Sequence, residues 1–356
     1  MGTEKQRKKI KGRTTVYNDL TSDEKLSKVN PDNLMLHDDF IAYLRAVDKS
    51  PETIYQYDRN LKVFWCWNME KNRNKFFVDV TIRELTRFQG TAISEWKWGS
   101  ARLRTVKASL SSLSNYIENQ MYDEYPNFRS IVNKIENPAN TPTREKTVFK
   151  DKQLTELLRT LIKEKEYMQA CMLSLAMNNG RRKTELTLFK ASYFHSCNLI
   201  CDGAMYKTPE KIRTKGSGSK GKPLIVYTLA KDFKPYLDMW LEQRKELGIE
   251  TDWLFPKYEN GEWLDEPINI STLNSWAVKF SKLMDGTPFY WHSMRHFFTT
   301  KLAESNIPDG VIQDLIGWSN SEMIKLYNDN TGESQFEKYF GADGIKKVES
   351  GSLNDL

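Results

Sequence analysis

Six polar residues spread over the C-terminal half of this chain could together do chemistry on one phosphodiester: Arg182, Lys215, His292, Arg295, Trp318 and Tyr327. Two guanidiniums, an ammonium and an imidazole supply the positive charge and the donors that grip a phosphate. An arginine fork binds two phosphate oxygens at once. A lone tyrosine just beyond them supplies a nucleophile. Phenol ionises near pH 10, so it attacks at neutral pH only where cations stabilise phenolate and the charge building on the phosphate oxygens. No metal-ligand set accompanies the six. His195, Cys197 and Cys201 cluster, but a fourth ligand and a Cys-x-x-Cys pair are missing. The expectation is therefore no metal and no cofactor, with the four cysteines as free thiols.

The elements that must position these residues are mostly helical. Phe40, Tyr43 and Leu44 recur at helical spacing, and Ser50-Pro51-Glu52 opens a second helix carrying Ile54, Tyr57, Leu61 and Phe64 on one face. Segments 82–98 and 100–116 predict two more. The last of these carries Arg102, Arg104 and Lys107 among small serines, a composition that lets a helix lie close to a DNA backbone. Trp96 and Trp98 read as core or interface aromatics. The two prolines of 137–144 mark a linker. From Asp151, Leu154, Leu157, Leu158 and Leu161 form a helical face. Segments 205–215 and 222–229 then read as two strands joined by a loose Gly-Ser tip. The expected fold is mainly α with a small antiparallel β-sheet, an α+β chain. Its expected parts are a basic flexible arm (1–34), an all-helical domain (35–125), a linker (126–149), a second, mainly helical domain (150–345) and a disordered end (346–356).

Composition permits this reading without demanding it. The 356 residues are 39% hydrophobic with a net charge of +6. No apolar run approaches the ~20 residues of a membrane span, and residues 1–13 are basic without an apolar signal core. A cytoplasmic, nucleoid-associated protein is expected. Positive charge concentrates at 1–13 and at 207–222, the latter including Arg213, Lys215 and Lys220 against Glu210 alone. Two such runs beside a phosphate-binding constellation point to DNA.

Four motifs carry a resemblance. Asn179-Gly180-Arg181-Arg182-Lys183-Thr184-Glu185-Leu186 resembles the Thr-Gly-Leu-Arg-x-x-Glu-Leu box of the tyrosine recombinase (phage integrase) family. Arg182 matches the family arginine, and Arg181 stands where the family has an apolar residue, which makes it a rival. Thr214-Lys215-Gly216 resembles the family's lysine turn between two strands, with Lys220 as the alternative. Trp291-His292-Ser293-Met294-Arg295-His296 resembles His-x-x-Arg-His. Ile312-Gln313-Asp314-Leu315-Ile316-Gly317-Trp318 resembles Ile-Gln-x-Leu-Leu-Gly-His. Its Trp318 replaces the second histidine, as in Cre-like and yeast Flp-type members. Tyr327 follows Trp318 by nine residues, the family's spacing. Tyr339, in Phe336-Glu337-Lys338-Tyr339-Phe340, is the alternative nucleophile on what reads as a packing helix. The resemblance spans about 175–330 and extends to 36–125 only in size and pattern.

The resemblance implies a site-specific recombinase, with 35–125 as its core-type DNA-binding domain and 150–345 as its catalytic domain ending in a tail that docks on a neighbouring subunit. Tyr327 would attack the scissile phosphate and form a 3′-phosphotyrosine, with Lys215 protonating the 5′-oxygen that leaves. Arg182, Arg295, His292 and Trp318 would hold the nonbridging oxygens, Glu185 would orient the site without touching DNA, and Arg102, Arg104, Lys107, Arg181, Arg213 and Lys220 would meet the DNA. The covalent bond keeps the phosphodiester energy, so no ATP is needed. Strand exchange implies a homotetramer on two double-stranded DNA sites, with accessory DNA-bending or directionality proteins as further partners and no membrane. Integration, excision and resolution share this chemistry. A type IB topoisomerase, a hairpin telomere resolvase or a non-catalytic site-specific DNA-binding protein are the rival readings. With about 35 residues before the helical domain, a separate arm-site-binding domain is not expected.

Overall fold

The computed structural model describes residues 7–10, 13–16, 19–139, 147–216, 218, 220–320, 322–328, 340–341 and 344–345. They fall into two units, one within Met1–Glu145 together with Lys215–Lys222, the other within Lys146–Thr214 and Pro223–Leu356.

In the first unit, β1 (Arg7–Ile10) and β2 (Arg13–Val16) pair antiparallel. The helical body comprises α1 (Asp23–Leu26), α2 (Pro31–Ala46), α3 (Pro51–Lys71), α4 (Ile82–Ser94) and α5 (Ser100–Gln120). Its helix starts are chemically marked. Asn30 accepts from the Asp32 amide with Pro31 in the first turn, Ser50 accepts from the Thr53 amide with Pro51 behind it, and Thr81 and Glu84 form a reciprocal capping box. Leu36, Phe40 and Leu44 of α2, Leu61, Phe64 and Trp65 of α3, and Leu110, Leu113 and Ile117 of α5 share one core. Phe64 meets Phe77 and Phe88 edge-on, as ring quadrupoles prefer.

Two expected boundaries shift. Helix begins before residue 35, and Val29 is buried in the helical core. The Asn30-Pro31 start signal outweighs the missing apolar periodicity upstream. Nor is 126–139 a bare linker. A 3₁₀ turn at Val132–Lys134 inserts a fully buried Val132 among the residues of α4 and α5. Lys107 and Arg104 tie the following strand of chain down by donating to the carbonyls of Ile135 and Pro138. The expected docking tail between 329 and 339 and the end at 346–356 lie outside the described residues.

The second unit contains α6 (Asp151–Lys163), α7 (Tyr167–Asn179), α8 (Lys183–Leu186), β3 (Leu199–Ile200), β4 (Met205–Lys207), β5 (Ile212–Thr214), β6 (Lys222–Leu224), β7 (Tyr227–Leu229), α9 (Lys234–Glu246), β8 (Pro256–Glu259), β9 (Glu262–Pro267), α10 (Ile270–Leu283), α11 (Ser293–Glu304), α12 (Asp309–Ile316), α13 (Glu322–Tyr327), β10 (Phe340–Gly341) and β11 (Gly344–Ile345). Helix α7 is buried along its length from Gln169 to Asn179. A helix apolar on all sides belongs at the centre of a unit. Leu154, Leu157, Leu158 and Leu161 of α6 pack in the same core as Phe233, Leu237 and Trp240 at α9. The antiparallel sheet runs β3-β4-β7, with Tyr206 opposite Thr228, while β5 pairs with β6. Each of the two expected strands is thus split. Pro209, between β4 and β5, lacks the amide that a continuous ladder needs. At the break, Thr208 donates its amide to Val226 O and receives the Val226 amide on its hydroxyl, both at 3.0 Å. The result is the small sheet in a mainly helical chain that the sequence predicts.

Candidate active site

Gly180 ends α7 in the left-handed region, at φ 59°. A Cβ there would lie 2.7 Å from Phe298 Cδ1 of α11, so both conformation and close approach require glycine. The turn sends the two following arginines in opposite directions. Arg181 enters the interior and is 1% exposed. Its Nη1 donates to the Ile316 carbonyl at 3.2 Å and its Nη2 to Leu315 O at 2.7 Å. These are orphan carbonyls at the C-terminus of α12, where a cation is favoured. Arg182 starts α8 with its side chain about a third exposed, and its Nη1 donates to Glu185 Oε1 at 2.9 Å. Glu185 is buried and also accepts the Arg182 amide.

Arg295 comes from the first turn of α11, beneath Arg182. It is 1% exposed. Its Nη1 donates to Gly180 O at 3.2 Å and its Nη2 to Ile316 O at 3.4 Å. Burial, and then repulsion from Arg182 and Arg181, push its guanidinium down to about 9. Burial likewise pushes Arg181 down to about 10. A cluster of three arginines with one buried carboxylate has an electrostatic deficit that an anion would fill. Gly317 closes α12 at φ 73°. Trp318 then turns in beside Arg295, whose guanidinium carbon lies 5.1 Å from the indole ring.

Tyr327, the last residue of α13, completes the group. Its hydroxyl is 3.1 Å from His292 Nε2. Its ring centroid lies 4.5 Å from His296, 5.1 Å from Trp318 and 5.7 Å from the Arg295 guanidinium carbon. Among the described residues, Arg295 Nε and Trp318 Nε1 are buried donors without an acceptor. Native proteins rarely leave such donors unpaired, except where a ligand or water completes them.

The sequence pattern of the phage integrase family matches residues 147–333, over half of the chain and all of this cluster. The chain belongs to the phage integrase family. Among curated relatives, an SPbeta prophage-derived recombinase-like protein of Bacillus subtilis (strain 168) is 28% identical over 241 residues, 67% of this chain and 68% of the relative. A tyrosine recombinase of Pseudothermotoga lettingae is 24% identical over 309 residues, 84% of this chain and 94% of that one. Among solved structures, the XerH site-specific recombinase in a post-cleavage complex with its palindromic difH substrate shares the fold, with TM-score 0.59 and 16% identity over 86% of this chain and 95% of that one. No described helix is long and apolar enough to cross a membrane.

Within this integrase-family unit the structure brings together Arg182, Glu185, His292, Arg295, Trp318 and Tyr327. Lys215 and Lys220 are exposed on the hairpin, whose residues Lys215–Lys222 group with the first unit. Arg213 is exposed on β5. Arg181, expected at the DNA, is instead a buried clamp on the end of α12, because the Gly180 turn points it inward. In the first unit Arg102 also turns partly inward, donating to Asn60 Oδ1 at 2.6 Å and lying 4.9 Å from the Trp98 ring. Arg104 and Lys107 border a polar groove of about 610 Å³ with Ser111, Ser112, Asn133 and Asn137. Sequence reasoning gave no role to His296, although the His-x-x-Arg-His pattern contains it; its place four residues after His292 was the available signal.

Trp318 offers a direct test of its unpaired donor. Trp318→His retains most of the strand-cleavage rate, because imidazole restores an N–H at that place. Trp318→Ala loses about 10²-fold, as removal of one charge-stabilising donor does, and also loses packing against Ile316 and Ile324. Cleavage rates on a nicked duplex check both. Equal rates for the alanine variant and the wild type would reduce Trp318 to a core residue.

Proposed function

We propose that this recombinase cleaves and rejoins DNA at specific sites through a covalent bond between Tyr327 and a 3′-phosphate. The observation that carries this is the Tyr327 hydroxyl 3.1 Å from His292 Nε2, in a group that includes the under-compensated arginines. His292 Nε2, when unprotonated, is placed to take the phenol proton as the oxygen attacks. Arg182, exposed enough to meet a phosphate, and the unpaired donors of Arg295 and Trp318 receive the nonbridging oxygens. As the Tyr327–phosphorus bond forms, the bond to the 5′-oxygen breaks, and that oxygen takes a proton from Lys215. Rejoining is the reverse, with a 5′-hydroxyl of the partner strand as nucleophile. Glu185 holds Arg182 in place from beneath and stays away from DNA.

Around this chemistry we place two double-stranded DNA sites held by a homotetramer, with the first unit gripping DNA through Arg104 and Lys107, accessory DNA-bending or directionality proteins, and action in the cytoplasm on the nucleoid. The relatives named as recombinases and the mild basic charge support that wider reading. Covalent trapping tests the core of it. A duplex nicked beside the scissile phosphate loses the short strand carrying the 5′-hydroxyl, so cleaved protein cannot rejoin and accumulates on the DNA. No trapped protein on the native element's sites would reduce the chain to a DNA-binding protein. Relaxation of plasmids lacking any site would instead make it a topoisomerase.

Lys215→Ala is expected to cleave about 10²–10⁴-fold more slowly, the usual worth of general acid catalysis. A 5′-bridging phosphorothioate restores the rate, because sulfur leaves without protonation. Rescue confined to Lys220→Ala would exchange the roles of the two hairpin lysines.

A further inference from the structure

Three successive turns of α11 hold a single residue. His292, His296 and Thr300 stand at i, i+4 and i+8, one stripe along a helix. His292 Nε2 meets the Tyr327 hydroxyl at 3.1 Å. The His296 ring lies 4.5 Å from the Tyr327 ring with the planes at 33°. The Thr300 hydroxyl donates to the Tyr327 carbonyl at 3.5 Å. The stripe therefore contacts the oxygen, the ring and the backbone of one side chain in turn.

We propose that His296 is a positioning residue for the nucleophile, its imidazole face fixing the Tyr327 ring in the orientation from which the hydroxyl attacks. This rests on the reading of Tyr327 as nucleophile. Helix α13 has six residues, too short to be stable on its own, so packing against α11 and α12 sets where Tyr327 points. The hydrogen bond to His292 holds only the oxygen, and it is remade when the phenol gives up its proton. The tilted ring contact does not depend on that proton and persists through the step. Trp318 and Arg295 also border the ring, but both carry the unpaired donors assigned to the phosphate. His296 meets the Tyr327 ring face and the His292 ring edge. Misplacing a reacting atom by about 1 Å is enough to cost on the order of 10²-fold in rate.

The test uses the full chain on a nicked duplex at saturating DNA, following covalent adduct in a single turnover. His296→Ala is expected to form adduct about 10²-fold more slowly with DNA binding unchanged, and His296→Phe to recover to within several-fold, because phenyl keeps a flat face and has no titrating nitrogen. A second reaction separates positioning from general damage. In a Tyr327→Phe background, a strand bearing a 3′-p-nitrophenyl phosphate is joined to a 5′-hydroxyl strand. One phosphorus–oxygen bond forms to that hydroxyl oxygen, whose proton passes to solvent, and p-nitrophenolate leaves. This joining uses the phosphate-binding cations and not the tyrosine oxygen, so adding His296→Ala should leave its rate unchanged. The inference is overturned if His296→Ala forms adduct at the wild-type rate, if His296→Phe is as slow as His296→Ala, or if joining slows as much as adduct formation. A wild-type protein that forms no adduct overturns the recombinase reading itself, a distinct result.

Discussion

Tyr327→Phe is expected to bind its DNA sites like the wild type and to form no covalent adduct, a loss on the order of 10⁶-fold if it follows other enzymes stripped of their nucleophile. The substitution removes one oxygen. The ring that packs near His296, Trp318 and Arg295 stays, so the cluster keeps its shape. Only the hydrogen bond to His292 at 3.1 Å disappears. That bond is worth about 1 kcal/mol or less at a partly exposed position, so thermal stability barely changes. Binding rests on cations at phosphates, none of which is touched. Gel-shift titration beside denaturing-gel detection of covalent protein reads both halves of the prediction. Normal adduct in Tyr327→Phe together with its loss in Tyr339→Phe would move the nucleophile to Tyr339, which lies outside the described residues.

The parts of the site legible in the sequence were those tied to fixed spacing along single elements. His292 and Arg295 straddle the start of one helix, Trp318 follows a glycine-closed helix, and Tyr327 ends the next; each interval is set locally, by helix pitch or by a cap. The leucines of α6 and the Ser50-Pro51 start of α3 were legible for the same reason. What the sequence hid depends on contacts between distant segments. Arg181 and Arg182 are chemically identical neighbours, and the Gly180 turn buries the first only because the α12 carbonyls, more than a hundred residues on, stand where it points. Val132 has no periodic partners in its own segment, so nothing local marks it as part of the helical core. The splitting of the first strand follows from Pro209, visible in the sequence, but its effect depends on which edge of the ladder its amide would have faced, and nothing local marks the second break between Leu224 and Tyr227. His296 escaped because its partner is a tyrosine on another helix.

The adjacent arginines yield the second large effect, because their opposite fates predict opposite phenotypes. Arg182→Lys keeps a cation beside Glu185, so that buried carboxylate remains paired and the fold remains stable. It loses the planar fork that binds two phosphate oxygens, and an ammonium presents its charge at one point instead. Cleavage is expected to fall about 10²–10³-fold, with thermal stability near that of the wild type. Arg181→Met is the converse. It fills much of the same volume with apolar atoms but leaves the carbonyls of Leu315 and Ile316 without their donors. Hydrogen bonds to a charged group contribute about 1.5–3 kcal/mol each. Against this, removing a buried cation relieves desolvation and its repulsion of Arg295 and Arg182. Burial pushes the Arg181 guanidinium down to about 10, so that relief is real at neutral pH, where the group is charged. The net cost is expected to be about 2 kcal/mol at neutral pH, seen as a lower melting temperature. Cleavage measured well below that temperature falls only several-fold, through looser seating of Arg295 on Ile316 O. Melting curves and single-turnover cleavage on both variants decide the matter. Full cleavage by Arg182→Lys, with none from a folded Arg181→Met, would show that the phosphate is held by the arginine that the structure buries.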